Sequence, residues 1–104
     1  MKFSIEIRDL PTHQRAFIFK NVVINITHTT NTPNIFISFN LEKIKKKEAK
    51  RIIKEFKEVI DFEETELKDH PLDYDVVCKC NTEDRRTILK AITEYFKIDS
   101  FTVV

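Results

Sequence analysis

Residues 34–60 constrain the fold more than any other stretch, because they predict a buried strand that runs directly into a long helix. Ile35, Ile37 and Phe39 alternate with Phe36 and Ser38, so they share one face of a strand. β-branched and aromatic residues dominate the strand, which suits a largely buried position in a sheet.

An amphipathic helix is predicted over residues 41–60, with Asn40 as its N-cap and Glu42 in its first turn. Its apolar residues recur at steps of three and four and, Ile44 excepted, form one stripe. This stripe consists of Leu41, Ala49, Ile52, Ile53, Phe56, Val59 and Ile60. Lys45 falls on the core side, so we expect its ammonium group to extend outward. The opposite side carries six lysines, namely Lys43, Lys46, Lys47, Lys50, Lys54 and Lys57.

Length and composition favour one domain that spans residues 1–104. A chain of 104 residues with 41% apolar residues is long enough to bury one core without disulfide or metal support. The sequence contains no glycine, so its turns must use Asn, Asp, Pro, Ser and Thr. Glycine-rich phosphate-binding loops are excluded for the same reason.

Alternating patterns predict the remaining elements. Residues 2–8 form a strand, and residues 16–27 a longer one whose apolar phase changes at Lys20-Asn21, where we expect a bulge or bend. Residues 61–68 form a short charged edge strand, residues 74–80 another strand, and residues 101–104 a last one. Asn81 or Thr82 caps a second helix, whose apolar face is Ile88, Leu89, Ile92, Tyr95 and Phe96.

The element order predicts an α+β fold. Residues 34–104 have the order β-α-β-β-α-β of ferredoxin-like domains, and residues 1–28 precede them as a β-hairpin. We expect an antiparallel sheet with two helices on one face and the other face open. We also expect the hairpin to cover Phe36. If residues 61–72 form a loop instead, the order becomes a mixed βαβαβ.

No catalytic, metal or cofactor site is predicted. Cys78 and Cys80 both fall on the core face, and their spacing does not match the Cys-x₂-Cys zinc motif. His13, His28 and His70 lie in separate predicted turns, and no spacing pairs one of them with a nucleophile. The sequence therefore does not indicate an enzyme.

Charge is distributed unevenly along the chain, although the net charge is only +1. Residues 42–58 hold eight basic and four acidic side chains, whereas residues 61–75 hold seven acidic ones and a single lysine. We therefore expect a dipolar molecule. The six lysines, together with Glu63, Glu64 and Glu66, are the predicted partner-binding residues.

These features favour a small non-enzymatic interaction protein that acts as an inhibitor, an adaptor or a phage- or immunity-type accessory factor. We expect its partner to be another protein, and a homodimer is compatible with the pattern. Charges interrupt the first eight residues, so we expect no signal peptide. Because no apolar run reaches transmembrane length, we expect a cytoplasmic protein without a membrane partner.

Residues 35–41, Ile-Phe-Ile-Ser-Phe-Asn-Leu, resemble the RNP2 strand of RNA-recognition motif domains, which runs aliphatic, aromatic, aliphatic, any residue, Asn, Leu. Here an extra residue, Ser38 or Phe39, interrupts that pattern, and the partner strand lacks outward aromatic side chains. The resemblance implies RNA or DNA binding as the alternative function. Phe36 would then stack on a base at the open sheet face, with Lys79 nearby.

Overall fold

Seven strands and two helices follow one another in residues 2–67, 70–98 and 100–103, the part of the chain that the computed structural model describes. In chain order they are β1 (Lys2–Asp9), β2 (Arg15–Lys20), β3 (Ile24–Thr29), β4 (Asn34–Asn40), α1 (Lys46–Val59), β5 (Phe62–Leu67), β6 (Asp73–Cys80), α2 (Arg85–Tyr95) and β7 (Ser100–Val103). The predicted α+β class is confirmed.

All the described strands belong to one sheet, in the order β5-β6-β4-β3-β2-β1-β7. Strands β1 to β6 pair antiparallel, and β7 pairs with β1 in parallel. The ferredoxin-like order is not confirmed, because it requires the last strand beside β4. That position belongs to β3, which reaches β4 through a short turn. A short connection closes at a small entropic cost, so this local pairing has the advantage over a distant one.

The N-terminal segment is a three-stranded meander, so the hairpin predicted for residues 1–28 is wrong. The predicted long strand 16–27 is broken by a turn at Asn21. The Asn21 side chain accepts hydrogen bonds from the N–H groups of Val23 and Ile24, at 2.8 and 2.7 Å. This Asx turn reverses the chain without glycine. The phase change at Lys20-Asn21 therefore marks a reversal and not a bulge.

Helix α1 begins at Lys46, later than predicted. The backbone carbonyl of Asn40 accepts hydrogen bonds from the N–H groups of Lys43 and Ile44. The side-chain oxygen of Asn40 accepts a hydrogen bond from the Glu42 N–H. Asn40 therefore closes a separate turn and does not cap the helix. Lys45 occupies the N-cap position in an extended conformation and is exposed, so it does not lie on the core side.

Helix α2 is capped by Asp84, and not by Asn81 or Thr82 as predicted. The Asp84 carboxylate accepts hydrogen bonds from the Arg86 N–H at 2.9 Å and from the Thr87 hydroxyl at 3.1 Å. These bonds lower the pKa of Asp84. A side-chain acceptor at the N-cap satisfies N–H groups that the helix itself leaves unpaired.

The core lies between one face of the sheet and both helices, as predicted. The inward residues of β4, Ile35, Ile37 and Phe39, are fully buried. From α1, the Phe56 ring packs against three others with centroids 5.4–5.5 Å apart, namely Phe62, Tyr95 and Phe96. From α2, the buried residues are Ile88, Ala91 and Ile92. Val59 is half exposed, so its place in the predicted core stripe is wrong.

The predicted edge strand exists as β5, which forms one edge of the sheet and, among the described strands, pairs only with β6. The alternative of a loop over residues 61–72 is therefore wrong for residues 62–67. The predictions for Lys68 and Val104 lie outside the described residues. No described helix packs on the second face of the sheet, which we call the open face.

We expect Phe56→Ala to lower the free energy of unfolding by about 3–5 kcal/mol, because it removes a fully buried ring. Val59→Ala is the control on the same helix, and we expect it to cost at most about 0.5 kcal/mol since that side chain is half exposed. Guanidinium titrations of both variants measure the difference. Equal losses would show that the inward face of α1 is misassigned.

Candidate interaction surfaces

The six predicted lysines lie together on the exposed side of the molecule formed by α1 and the preceding turn. We call this set, Lys43, Lys46, Lys47, Lys50, Lys54 and Lys57, the lysine ridge. All six side chains are exposed. Helical spacing explains the arrangement of the five lysines on α1, because steps of three, four and seven residues return to the same side of a helix. Lys43 lies in the preceding turn.

Glu66 on the acidic strand β5 forms ion pairs with the lysine ridge, a contact that the sequence did not predict. Its carboxylate lies 2.9 Å from the Lys46 Nζ and 4.0 Å from the Lys50 Nζ. The hydrogen bond from Lys46 lowers the pKa of Glu66. Both ammonium groups also lie over the Tyr74 ring, 5.5 and 6.0 Å from its centroid, which adds a cation–π attraction. The two predicted charged surfaces are therefore in contact.

The other four lysines of the ridge differ from Lys46 and Lys50 in their contacts. Among the described residues, none of Lys43, Lys47, Lys54 and Lys57 takes part in an ion pair. On the other flank of α1, the Arg51 guanidinium contacts Glu55 at 2.9 Å. The ion-paired charges of α1 thus lie on its two flanks, and Lys47 and Lys54 lie between them.

The three predicted acidic residues are not gathered on one surface. Glu64 and Glu66 project toward the helix side of β5, opposite Cys78 and Val76. Glu63 projects to the open face, opposite Lys79. Alternation along the strand causes this division, so Glu66 alone of the three contacts the lysine ridge.

Phe36 lies near the centre of the open face, as the resemblance to RNP2 implies. Phe36 is half-buried and lies between Thr27 and Val77 on the neighbouring strands. Lys79 is exposed on the same face, one row away. The expectation that the N-terminal strands cover Phe36 is wrong, because these strands extend the sheet sideways.

A polar cleft of about 540 Å³ lies where two turns meet the start of α2. It is lined by Asp9, His13, Arg15, Asn31 and Arg85, among others. His13 and Asn31 have φ angles of 60° and 66°, a left-handed conformation that glycine usually takes. The Arg15 Nε donates to Asp9 at 2.8 Å, so that guanidinium is already neutralised. No spacing in the sequence connects these distant residues.

The two cysteines are buried on the core face, as predicted. Burial raises the pKa of Cys78 to about 12 and that of Cys80 to about 11. Both thiols are therefore protonated at neutral pH and are poor nucleophiles. No group of three or more potential metal ligands occurs among the described residues.

His28 lies in β3 and not in the turn that was predicted for it. Its side chain is 1% exposed, and within the described residues its Nδ1 has no hydrogen-bond partner. The ring stacks on Phe17 with centroids 6.4 Å apart. Burial lowers the pKa of His28 below 6.5, because the charged form loses its hydration.

Comparison of the chain with protein-family models, with curated proteins and with solved structures yields no match. None of the described helices combines the length and the apolar composition needed to cross a membrane. The interaction surfaces therefore have to be interpreted from their own chemistry.

We expect the protein to lose stability as the pH falls below 6.5, because unfolded His28 then binds a proton that the folded protein excludes. This group contributes a slope of at most about 1.4 kcal/mol per pH unit, between the unfolded pKa and the lower folded one. Urea titrations between pH 7.5 and pH 5 measure the slope. His28→Phe keeps a ring beside Phe17 and should flatten the slope; an unchanged slope would contradict this assignment.

Proposed function

We propose that the protein is a small non-enzymatic interaction protein that binds an acidic surface of another protein through its lysine ridge. The observation that supports this most is the group of four exposed lysines, Lys43, Lys47, Lys54 and Lys57, without an ion pair in the described part of the chain. Like charges on one side of a molecule repel one another, so a complementary acidic surface would relieve that repulsion. An inhibitor, an adaptor or an accessory factor would act in this way.

Glu66 would compete with an acidic partner for two lysines of the ridge. Its carboxylate holds Lys46 and Lys50 at the edge of the sheet, where an acidic partner would otherwise contact them. All three side chains are about half exposed, so the ion pairs can exchange partners without breaking the core. The two buried free cysteines agree with the reducing cytoplasm in which we place this function.

For the fold, we interpret β4 to β7 and the two helices as a ferredoxin-like core with an inserted meander. Strands β5, β6 and β4 keep the neighbour order of that core. β1 to β3 then fill the space between β4 and β7. This interpretation accounts for the direction of β7, which runs opposite to β4 across the inserted strands.

Charge reversal at Lys47 and Lys54 tests the proposal. We expect K47E/K54E to fold normally, because both side chains are exposed. We also expect the tagged variant to lose a protein that the wild type captures from a lysate of the native host after nuclease treatment. Association rates measured by surface plasmon resonance should fall, and the effect should shrink as salt is added.

R86E/K90E is the matched control, since it reverses two exposed charges on α2 instead. It should bind like the wild type. Glu66→Gln should increase the association rate because it releases Lys46 and Lys50. Equal loss in K47E/K54E and in the control would show that only net charge matters, and would contradict a specific site.

A nucleic-acid partner is the second candidate, and the position of Phe36 on the open face favours it. A half-buried aromatic ring amid Thr, Ser and Asn side chains can stack on an unpaired base. The open face and the lysine ridge lie on opposite sides of the sheet, so separate variants test the two candidates.

If single-stranded RNA binds the open face, Phe36→Ala should weaken its binding by about 1–3 kcal/mol. Lys79→Gln should reduce the slope of log affinity against log salt by roughly 0.7. Fluorescence anisotropy of a labelled mixed-sequence RNA measures both effects. K47E/K54E is the control. If that variant alone lost affinity for the RNA, the lysine ridge and not the open face would be the nucleic-acid site.

A further inference from the structure

The charges on the open face are divided between its two halves. The half formed by β1 and β2 carries Lys2, Arg8 and Lys20 against Glu6. The half formed by β6 and β5 carries Glu63, Asp73 and Asp75 against Lys79. Strands β3 and β4 separate the halves and present neutral side chains to this face, namely Asn25, Thr27, Thr29, Asn34, Phe36, Ser38 and Asn40.

Counted over the described residues, this face is therefore neutral as a whole but has a basic half and an acidic half. A neutral face lacks the positive surplus that nucleic-acid backbones attract. A face with opposite charges on its two halves is instead complementary to itself, provided that a two-fold rotation brings one half over the other.

We propose that a second copy of the chain covers the open face, in a two-fold symmetric dimer whose axis runs parallel to the strands between β3 and β4. Such a rotation reverses the strand order and keeps each row of residues at its own level. β2 of one copy then lies over β6 of the other, and β1 lies over β5.

The pairing register of the sheet fixes which residues meet. Lys20, Asn25, Ser38 and Asp75 form one row across four neighbouring strands, so Lys20 of one copy faces Asp75 of the other. In the next row, Ile18 faces Val77 in the same way.

One row further along, Arg8, whose guanidinium is ion-paired with Glu6 in its own copy, faces Glu63. By symmetry, every contact occurs twice. The apolar contacts lie between two rows of opposite charges.

The size of the open face agrees with this occupant. Six strands about 4.8 Å apart, with about five residues each at about 3.3 Å, give a patch of roughly 29 by 17 Å. Because side chains project from the sheet, the accessible area of this patch exceeds its flat area and approaches that of small stable interfaces, about 600–800 Å² per copy. Packed sheets lie about 10 Å apart and cross at about 30°, a gap that the long side chains of Lys20 and Arg8 can span.

Sedimentation velocity on the full chain, from low to high micromolar concentration, tests the dimer. We expect the wild type to dimerise. K20E and D75K should each weaken self-association by about tenfold or more, because each places like charges opposite each other twice. The double variant K20E/D75K restores opposite charges and should recover dimerisation. Lys90→Glu on α2 is the control and should dimerise like the wild type, and circular dichroism verifies that each variant is folded.

A wild type that stays monomeric at high micromolar concentration would overturn the proposal. So would a dimer that neither single reversal weakens, or a double variant that does not recover, since the axis fixes that pairing. A monomer that binds single-stranded RNA and loses this binding in Phe36→Ala would assign the open face to nucleic acid instead.

Discussion

In the described part of the chain, two helices cover one face of a seven-stranded sheet and leave its other face without a covering layer. The rest of the structure depends on this difference between the two faces. Both helices pack on the same face, where the inward side chains of β3, β4 and β6 are almost completely excluded from water. Burial of apolar surface is the main force that stabilises such a layer. The chain therefore places its large aliphatic and aromatic residues on that face. The open face receives Ser, Thr, Asn and charged residues, apart from Ala16, Leu67 and the half-buried Ile18, Phe36 and Val77.

Alternation and helical spacing predicted the parts of the fold in which the pattern directly reports burial. The inward residues of β4 and β6 and the buried residues Ala49, Ile53 and Phe56 of α1 follow from spacing alone. The breaks were harder to predict, because Asn21 and Asn40 form turns through their own side chains. A side-chain amide that bonds neighbouring N–H groups leaves no distinct spacing in the sequence.

The pairing of distant elements could not be predicted for a different reason. The pattern of β7 shows that it is a strand, but not whether it lies beside β4 or beside β1. Similarly, the exposure of Lys46 follows from its position on α1, whereas its ion pair with Glu66 depends on where β5 lies in three dimensions. Long-range partners are selected by the packing of the whole sheet, and each strand alone carries little information about them.

The lysine ridge and the open face lie on opposite sides of the sheet, so occupation of one leaves the other accessible. A dimer through the open face would present two lysine ridges that point away from each other. Two such ridges could bind two acidic sites of one large partner, and the second contact would form at a high effective concentration. Individually weak surface contacts would then give a much longer-lived complex.

The pairing of β7 with β1 has a consequence for how the chain folds. Residues 2–5 pair with residues 100–103, so β1 receives this neighbour only after all the intervening strands and helices have been synthesised. Contacts of such high sequence separation slow folding. Until they form, the edge of β1 exposes unpaired N–H and C=O groups that can pair with other chains. Chaperone binding before this pairing forms would therefore have most effect at this edge, and strands β3, β4 and β6 could already be assembled by then.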